Sequence, residues 1–228
     1  MTLQLTWHGH ATWLLEFEDH RILVDPFLGE NPAATVAAKD LDADFVLLTH
    51  GHFDHVADAA EIVNRCKAKL VANYEIATWF ATNHRVEDPL GMNLGGAAEL
   101  PFGRVTMTVA WHSSQLPDGS YGGNPGGFVV EIGGKRIYFA GDTALFSDMQ
   151  LIGAAGIDAA ILPIGDLFTM GVKDSVQAAK WLKAKQVVPG HFNTWPPIEQ
   201  DVDAWAELIS SQTESTPVIP KVGVPTTL

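Results

Sequence analysis

Residues 46–55, Val-Leu-Leu-Thr-His-Gly-His-Phe-Asp-His, constrain this chain more than any other stretch. An apolar run ends at Thr49 and delivers His50, His52, Asp54 and His55 into six consecutive positions. Imidazole and carboxylate bind divalent cations of the zinc, manganese and iron type, and crowding them into one loop fixes several ligands at little entropic cost. Gly51 removes a side chain between the first two histidines, so His50 and His52 can leave an extended segment on one side. Asp54 and His55 are neighbours and must depart in different directions, which suits a second ion better than the first. The competing account is a polar turn after a buried strand, and this density of donors disfavours it.

With 228 residues, 46% of them hydrophobic, the chain is long enough for one large core, and a single domain over residues 1–228 is expected. Its formal charge is −13, from 14 Lys+Arg against 27 Asp+Glu, with no basic run. A field of that sign repels phosphate backbones, so nucleic acid is not the expected partner. The opening segment MTLQLTWHGHATWLLEFEDH has no basic region, and histidines and acids interrupt its apolar residues. It therefore reads as neither signal peptide nor membrane span. The lone Cys66 cannot form an internal disulfide, which favours the cytoplasm, and its apolar neighbours Ile62 and Val63 suggest a core thiol.

Strand-like runs cover residues 3–7, 12–17, 21–24 and 45–49, with Glu18-Asp19-His20 as a hairpin turn and His20 solvated within it. Asp25, before Pro26, is placed to orient a metal-bound imidazole by accepting its other N–H. Helical spacing follows at 57–67 and 74–82, where Trp79 and Phe80 are expected in the core. Residues 83–100 read as loop or irregular strand, with His84 exposed. Beyond them come strands at 104–110, 128–132 and 136–140, the last two flanking a Gly133-Gly134 turn. A short helix at 147–152, a strand at 158–163, a helix at 172–183, a strand at 186–189, a helix at 202–210 and an edge strand near Val218 complete the reading. This strand and helix pattern, appearing twice, suggests two packed sheets with helices outside.

Each remaining ligand candidate lies just after an apolar strand: His112 after VTMTVAW, Asp142 after RIYFAG and His191 after QVVPG. In α/β folds such strand ends aim side chains into one crevice. Five histidines and two aspartates are too many for one four- or five-coordinate ion, but divide sensibly between two. The expected allocation is His50, His52 and His112 to the first ion and Asp54, His55 and His191 to the second, with Asp142 bridging. Such a cleft would be roughly two charges positive before hydroxide binds, favouring small anionic or carbonyl-bearing substrates. Two bridged cations acidify the water between them, and Asp54 is the expected catalytic residue, holding that water's proton as well as ligating. His10, near the end of the first strand, is a candidate substrate or supporting contact; His8 is a weaker one. The glycine-rich loop 112–127 is a candidate lid.

At these residues the chain resembles the metallo-β-lactamase superfamily, whose His-x-His-x-Asp-His hallmark stands here as His50-Gly51-His52-Phe53-Asp54-His55. The later single ligands match His112, Asp142 and His191 in order. The resemblance implies an α/β fold, the αββα sandwich of two mixed β-sheets flanked by helices, with a dinuclear site between the sheets at the strand ends. Nearly the whole chain is similar to a group of metal-dependent hydrolases of unknown substrate, related to the ascorbate-6-phosphate lactonase branch. The matching segments are Trp7-His8-Gly9-His10, Val24-Asp25-Pro26-Phe27, Tyr121-Gly122-Gly123-Asn124-Pro125, Gly141-Asp142-Thr143, Pro163-Ile164-Gly165-Asp166 with Phe168-Thr169-Met170-Gly171, and Pro189-Gly190-His191-Phe192-Asn193-Thr194. Phe192 and Leu167 depart from that group, which often has Tyr and Asn there. The implied function is hydrolysis of a small ester or lactone, phosphorylated or not, with two divalent ions, zinc first and manganese, iron or nickel as alternatives. A phosphodiesterase and a metal-holding regulatory protein without turnover are the competing readings. The expected partner is a small-molecule substrate rather than nucleic acid or membrane, and homo-oligomerisation is left open.

Overall fold

The computed structural model describes residues 2–228. Strands β1 (Gln4–Trp7), β2 (Trp13–Phe17), β3 (His20–Val24), β4 (Phe45–Leu47), β5 (Lys69–Asn73) and β6 (Leu90–Met92) form most of one sheet. Strands β7 (Ala97–Leu100), β8 (Gly103–Val109), β9 (Gly126–Ile132), β10 (Lys135–Phe139), β11 (Ala159–Pro163), β12 (Gln186–Gly190) and β13 (Thr216–Pro217) form the other. A last strand, β14 (Thr226–Thr227), returns to the first sheet, giving the orders β14-β1-β2-β3-β4-β5-β6 and β13-β12-β11-β10-β9-β8-β7.

Both sheets are mixed for the same reason. Short turns produce antiparallel pairs, β2 with β3 and β9 with β10, the latter across Gly133 and Gly134 at φ 58° and 75°. Two successive positive φ values match the right-handed twist of a two-residue hairpin. Longer crossovers, carrying α-helices everywhere except between β3 and β4, produce the parallel pairs β3-β4-β5-β6 and β10-β11-β12-β13. The helices are α1 (Phe53–Val56), α2 (Ala59–Cys66), α3 (Tyr74–His84), α4 (Met149–Ala154), α5 (Val172–Leu182) and α6 (Val202–Gln212). The side chains of Asn73 and Asp201 cap α3 and α6 by accepting from the amides of Ile76 and Ala204.

Alternation along the strands sorts the core into layers. Trp13 and Leu15 of β2, Val24 of β3 and Leu47 of β4 join Val130, Ile137 and Phe139 of the second sheet in one cluster. Leu14, Leu23, Val46 and Leu70 face the other way, onto Ile62 and Val63 of α2 and Ile76 and Phe80 of α3. Beyond the second sheet, α5 and α6 bury Val176, Leu182, Trp205 and Ile209. This is the expected helix-sheet-sheet-helix sandwich.

The pairing directions decide where the loops meet. Tracing the antiparallel and parallel pairs shows that β1, β3 and β4 run the same way in the first sheet, as do β8, β10, β11 and β12 in the second. The segments after β1, β3, β4, β8, β10 and β12 carry His10, Asp25, His50, His112, Asp142 and His191 respectively.

Several local expectations are corrected. His20 opens β3 rather than sitting solvated in the turn, its ring edge-on to Phe45 and Phe102 at 6.1 and 6.4 Å. Cys66 is partly exposed rather than a core thiol, with Sγ 3.6 Å from Asp42. Trp79 is only half-buried and donates its indole N–H to Asp118 at 2.7 Å, whereas Phe80 does lie in the core. The stretch 83–100 holds the ordered edge strands β6 and β7, and β14 was not anticipated. Among the described residues no helix is long and apolar enough to cross a membrane.

Candidate metal centre

The first histidine is aimed by a chain of donors that begins on β3. Asp25 is buried at φ 47° and accepts from the Thr49 amide at 2.8 Å, from the Thr49 hydroxyl at 2.6 Å and from His55 Nδ1 at 2.9 Å. Because the Thr49 hydroxyl gives its hydrogen to Asp25, its oxygen accepts from His50 Nδ1 at 3.0 Å. Both His50 and His55 therefore carry a proton on Nδ1 and turn Nε2 away from Asp25, that of His50 to 3.0 Å from His52 Nδ1. An imidazole is prepared as a ligand in this way, by a hydrogen bond on its other nitrogen.

Ring nitrogens converge on Asp142. Its Oδ2 lies 3.0 Å from His191 Nε2, 3.4 Å from His55 Nε2, 3.6 Å from His112 Nε2 and 4.0 Å from His50 Nε2. Asp142 is carried there by Gly141, at φ 63°, where a Cβ would stand 2.9 Å from the Gly126 carbonyl oxygen and from Thr49 Cβ. Three groups have ligand atoms mutually within 4.8 Å: His50, His52 and His112; His50, His55 and Asp142; and His10, Asp54, His55 and His191. The structure thus brings together every residue singled out in the sequence as a ligand.

His10 adds a contact that the sequence left undecided. Fully buried, it meets Asp54 Oδ2 through Nε2 and Thr194 Oγ1 through Nδ1, both at 3.0 Å. Its carbonyl accepts from the His191 amide and from the Trp7 indole, at 3.0 and 2.9 Å. Thr49 and Thr194 were missed as supports. Their only sequence signal was adjacency to the motifs that hold His50 and His191.

The donor set fits a cation. His55 Nε2, His191 Nε2 and Asp142 Oδ1 are buried and have no hydrogen-bond partner among the described residues, a costly condition unless something positive lies between them. Burial pulls the pKa values of His50, His52 and His112 down, keeping these rings neutral as ligation requires. Burial acts against the Asp142 and Asp54 carboxylates, but adjacent histidines hold both below the usual range, His191 and His55 for Asp142 and His55 and His10 for Asp54. Burial likewise opposes a proton on His55, and Asp142, Asp25 and Asp54 outweigh it and raise its pKa. Those three carboxylates mark a place where positive charge is favoured.

The β-lactamase superfamily domain model matches residues 20–192, which include all seven candidate ligands. The chain belongs to the β-lactamase superfamily. Within that superfamily it is 48% identical over 205 residues to a UPF0173 metal-dependent hydrolase of Thermus thermophilus, covering 90% of each chain. It is 45% identical to the UPF0173 metal-dependent hydrolase YtkL of Bacillus subtilis, covering 90% of this chain and 92% of that one. Among solved structures, Igni18, a metallo hydrolase of Ignicoccus hospitalis, superposes with a TM-score of 0.89 at 33% identity, over 100% of this chain and 99% of that one. The chain is thus also a member of the UPF0173 metal-dependent hydrolase family, and the sandwich described above is the superfamily fold.

Proposed function

We propose that this protein is a metal-dependent hydrolase that holds two divalent cations and opens a small ester or lactone. The observation that supports a pair most directly is the place of Asp142 Oδ2, within 4.0 Å of ring nitrogens from both halves of the histidine set. In this reading His50, His52 and His112 hold one ion, Asp54, His55 and His191 the other, and Asp142 is shared. Zinc leads, and manganese, iron or nickel suit the same donors. Bound ions of this kind would supply Lewis acidity, acidifying water and polarising the carbonyl under attack.

The residues of the chain do the positioning. Asp54 is the more accessible of the two clustered carboxylates, 13% exposed against 4% for Asp142, and is the group placed to hold a proton from attacking water. His10 fixes one Asp54 oxygen and leaves the other free of side-chain partners. Phe53 and Trp195 line the same cleft as this carboxylate. The same reading takes the chain as one domain, supported by the shared core of the two sheets, and as cytoplasmic, supported by its lone Cys66.

Elemental analysis of purified protein, followed by turnover of lactone, ester and bis(p-nitrophenyl) phosphate panels, tests the proposal. The expected result is about two ions per chain and activity on lactones or esters above that on the phosphodiester. A metal-replete sample active only on the phosphodiester would refute the bond assignment, and Asp142→Ala with full metal content would refute the shared ligand.

A further inference from the structure

Beside the metal centre lies a cleft of about 780 Å³ whose floor includes His52, Asp54, His112, Asp142 and His191. Its walls are apolar: Phe53, Leu116, Pro117, Phe168, Trp195 and Pro197. Among the described residues that line it there is no Lys or Arg. Phe53 is 49% exposed and Phe168 53%, a degree of exposure that large aromatics at the edge of one concave site acquire when a ligand is meant to cover them. Phe53 and Trp195 form a continuous surface with Phe27 behind them, with ring centroids 5.7 to 6.3 Å apart.

The part of the lining that Phe168 supplies is held in place at a cost in backbone strain. Asp166 and Leu167, immediately before Phe168, both sit in the left-handed region at φ 63° and 51°, where a leucine is disfavoured. Asp166 pins the turn: its carboxylate accepts from the Leu167 amide at 2.8 Å, and its own amide donates to the Met170 carbonyl at 3.1 Å. This strained turn presents Phe168 to the cleft and leaves Leu167 exposed beside it.

We propose that the cleft selects an uncharged substrate, an ester or lactone whose non-reacting part is an alkyl or aryl group gripped between Phe168 and the Phe53–Trp195 face. On the walls, away from the metal-facing floor whose positive charge is spent on the reacting carbonyl, a phosphoryl group would bring a charge of about −1.5 to −2 with no Lys or Arg among the described lining residues to receive it. The two hydroxyl- and amide-bearing side chains of the lining, Ser113 and Gln115, leave room for only a few polar contacts with the ring or acyl group. This selection rests on the hydrolase reading, and one set of measurements separates them.

Using the metal-replete protein, kcat/KM is measured for δ-valerolactone, for δ-decalactone, which adds a pentyl chain to the same ring, and for 6-phosphogluconolactone. The pentyl chain should raise kcat/KM by about tenfold or more, since each buried methylene contributes appreciably, and the phosphorylated lactone should be slowest. Phe168→Ala should shrink the pentyl advantage through KM, and Phe168→Arg should improve the phosphorylated lactone. The high exposure of Phe168 keeps either variant folded. A phosphorylated lactone turned over fastest, or a pentyl chain without benefit, overturns the proposal. If no lactone is turned over, the lactone part of the functional reading fails, and calorimetric binding of hexanamide against acetamide decides the cleft alone. Hexanamide binding about tenfold tighter, with the gain lost in Phe168→Ala, would uphold the apolar grip; equal binding would end it.

Discussion

At the scale of single residues, Asp25 illustrates how a side chain can govern a site without facing it. Its carboxylate receives the Thr49 amide, the Thr49 hydroxyl and His55 Nδ1, and through Thr49 it also sets His50. Asp25→Ala leaves these buried donors without an acceptor and frees two imidazoles to rotate. We expect a loss of about 1–3 kcal/mol in stability and a 10- to 100-fold weaker metal affinity, measured by denaturant unfolding and chelator competition. His8 offers a prediction outside the centre. Its ring is 6% exposed, neither nitrogen has a partner, and burial lowers its pKa below 6.5. The unfolded chain therefore binds more protons than the folded one as the pH drops. The stability contributed by a neutral His8 is fully present above pH 6.5 and is lost as the pH falls through its lower folded value. His8→Leu should flatten the fall in unfolding midpoint between neutral and mildly acid pH; an unchanged slope would show that His8 does not titrate on folding.

At the scale of elements, two glycines separate packing from ligation. Gly153 of α4 lies so close to α5 that a Cβ would meet the backbone at Leu182, so Gly153→Ala must push the two helices apart. That change should cost about 1–3 kcal/mol and leave metal content untouched. Gly141 stands at the end of β10 between the Gly126 carbonyl and Thr49, at a φ of 63°. Gly141→Ala should cost a similar ~1–3 kcal/mol and also displace Asp142, so metal content should fall with it. Equal metal content in the two variants would contradict this. The same elements show what could be read beforehand. Apolar alternation made β2, β9 and β10 legible, as did the helical spacing of α2 and α5. Of the edge strands, β13 was anticipated near Val218, but β6 and β14 were not. Strands β6 and β14 have three and two residues, too short for any period, and exist because β5 and β1 offer them unpaired backbone.

At the scale of the whole molecule, the metal centre ties the two sheets together. His50 and His55 follow β4 of the first sheet, whereas His112, Asp142 and His191 follow strands of the second. An ion bound by both acts as a crosslink absent from the unfolded chain. Removing metal with a chelator should therefore lower the unfolding midpoint, by the equivalent of about 4 kcal/mol if free metal had stood near a thousandfold above its dissociation constant. Circular dichroism during chelation and readdition reads this directly, and an unchanged midpoint would argue that the sheets hold together without help.

The sequence alone determined the donors and their order, because the identity of a ligand and its place after an apolar strand are local properties, visible in His50-Gly51-His52-Phe53-Asp54-His55 and at His112, Asp142 and His191. It also carried the resemblance to the metallo-β-lactamase superfamily and its metal-dependent hydrolases, which the comparisons bore out. Only the tertiary structure decided which atoms face one another: that His10 reaches Asp54, that Thr49 and Thr194 set two rings, and that the cleft walls are apolar with no Lys or Arg among the described residues that line them. Those contacts join residues up to 184 positions apart, and such pairings follow from strand direction and sheet order, which no local periodicity encodes.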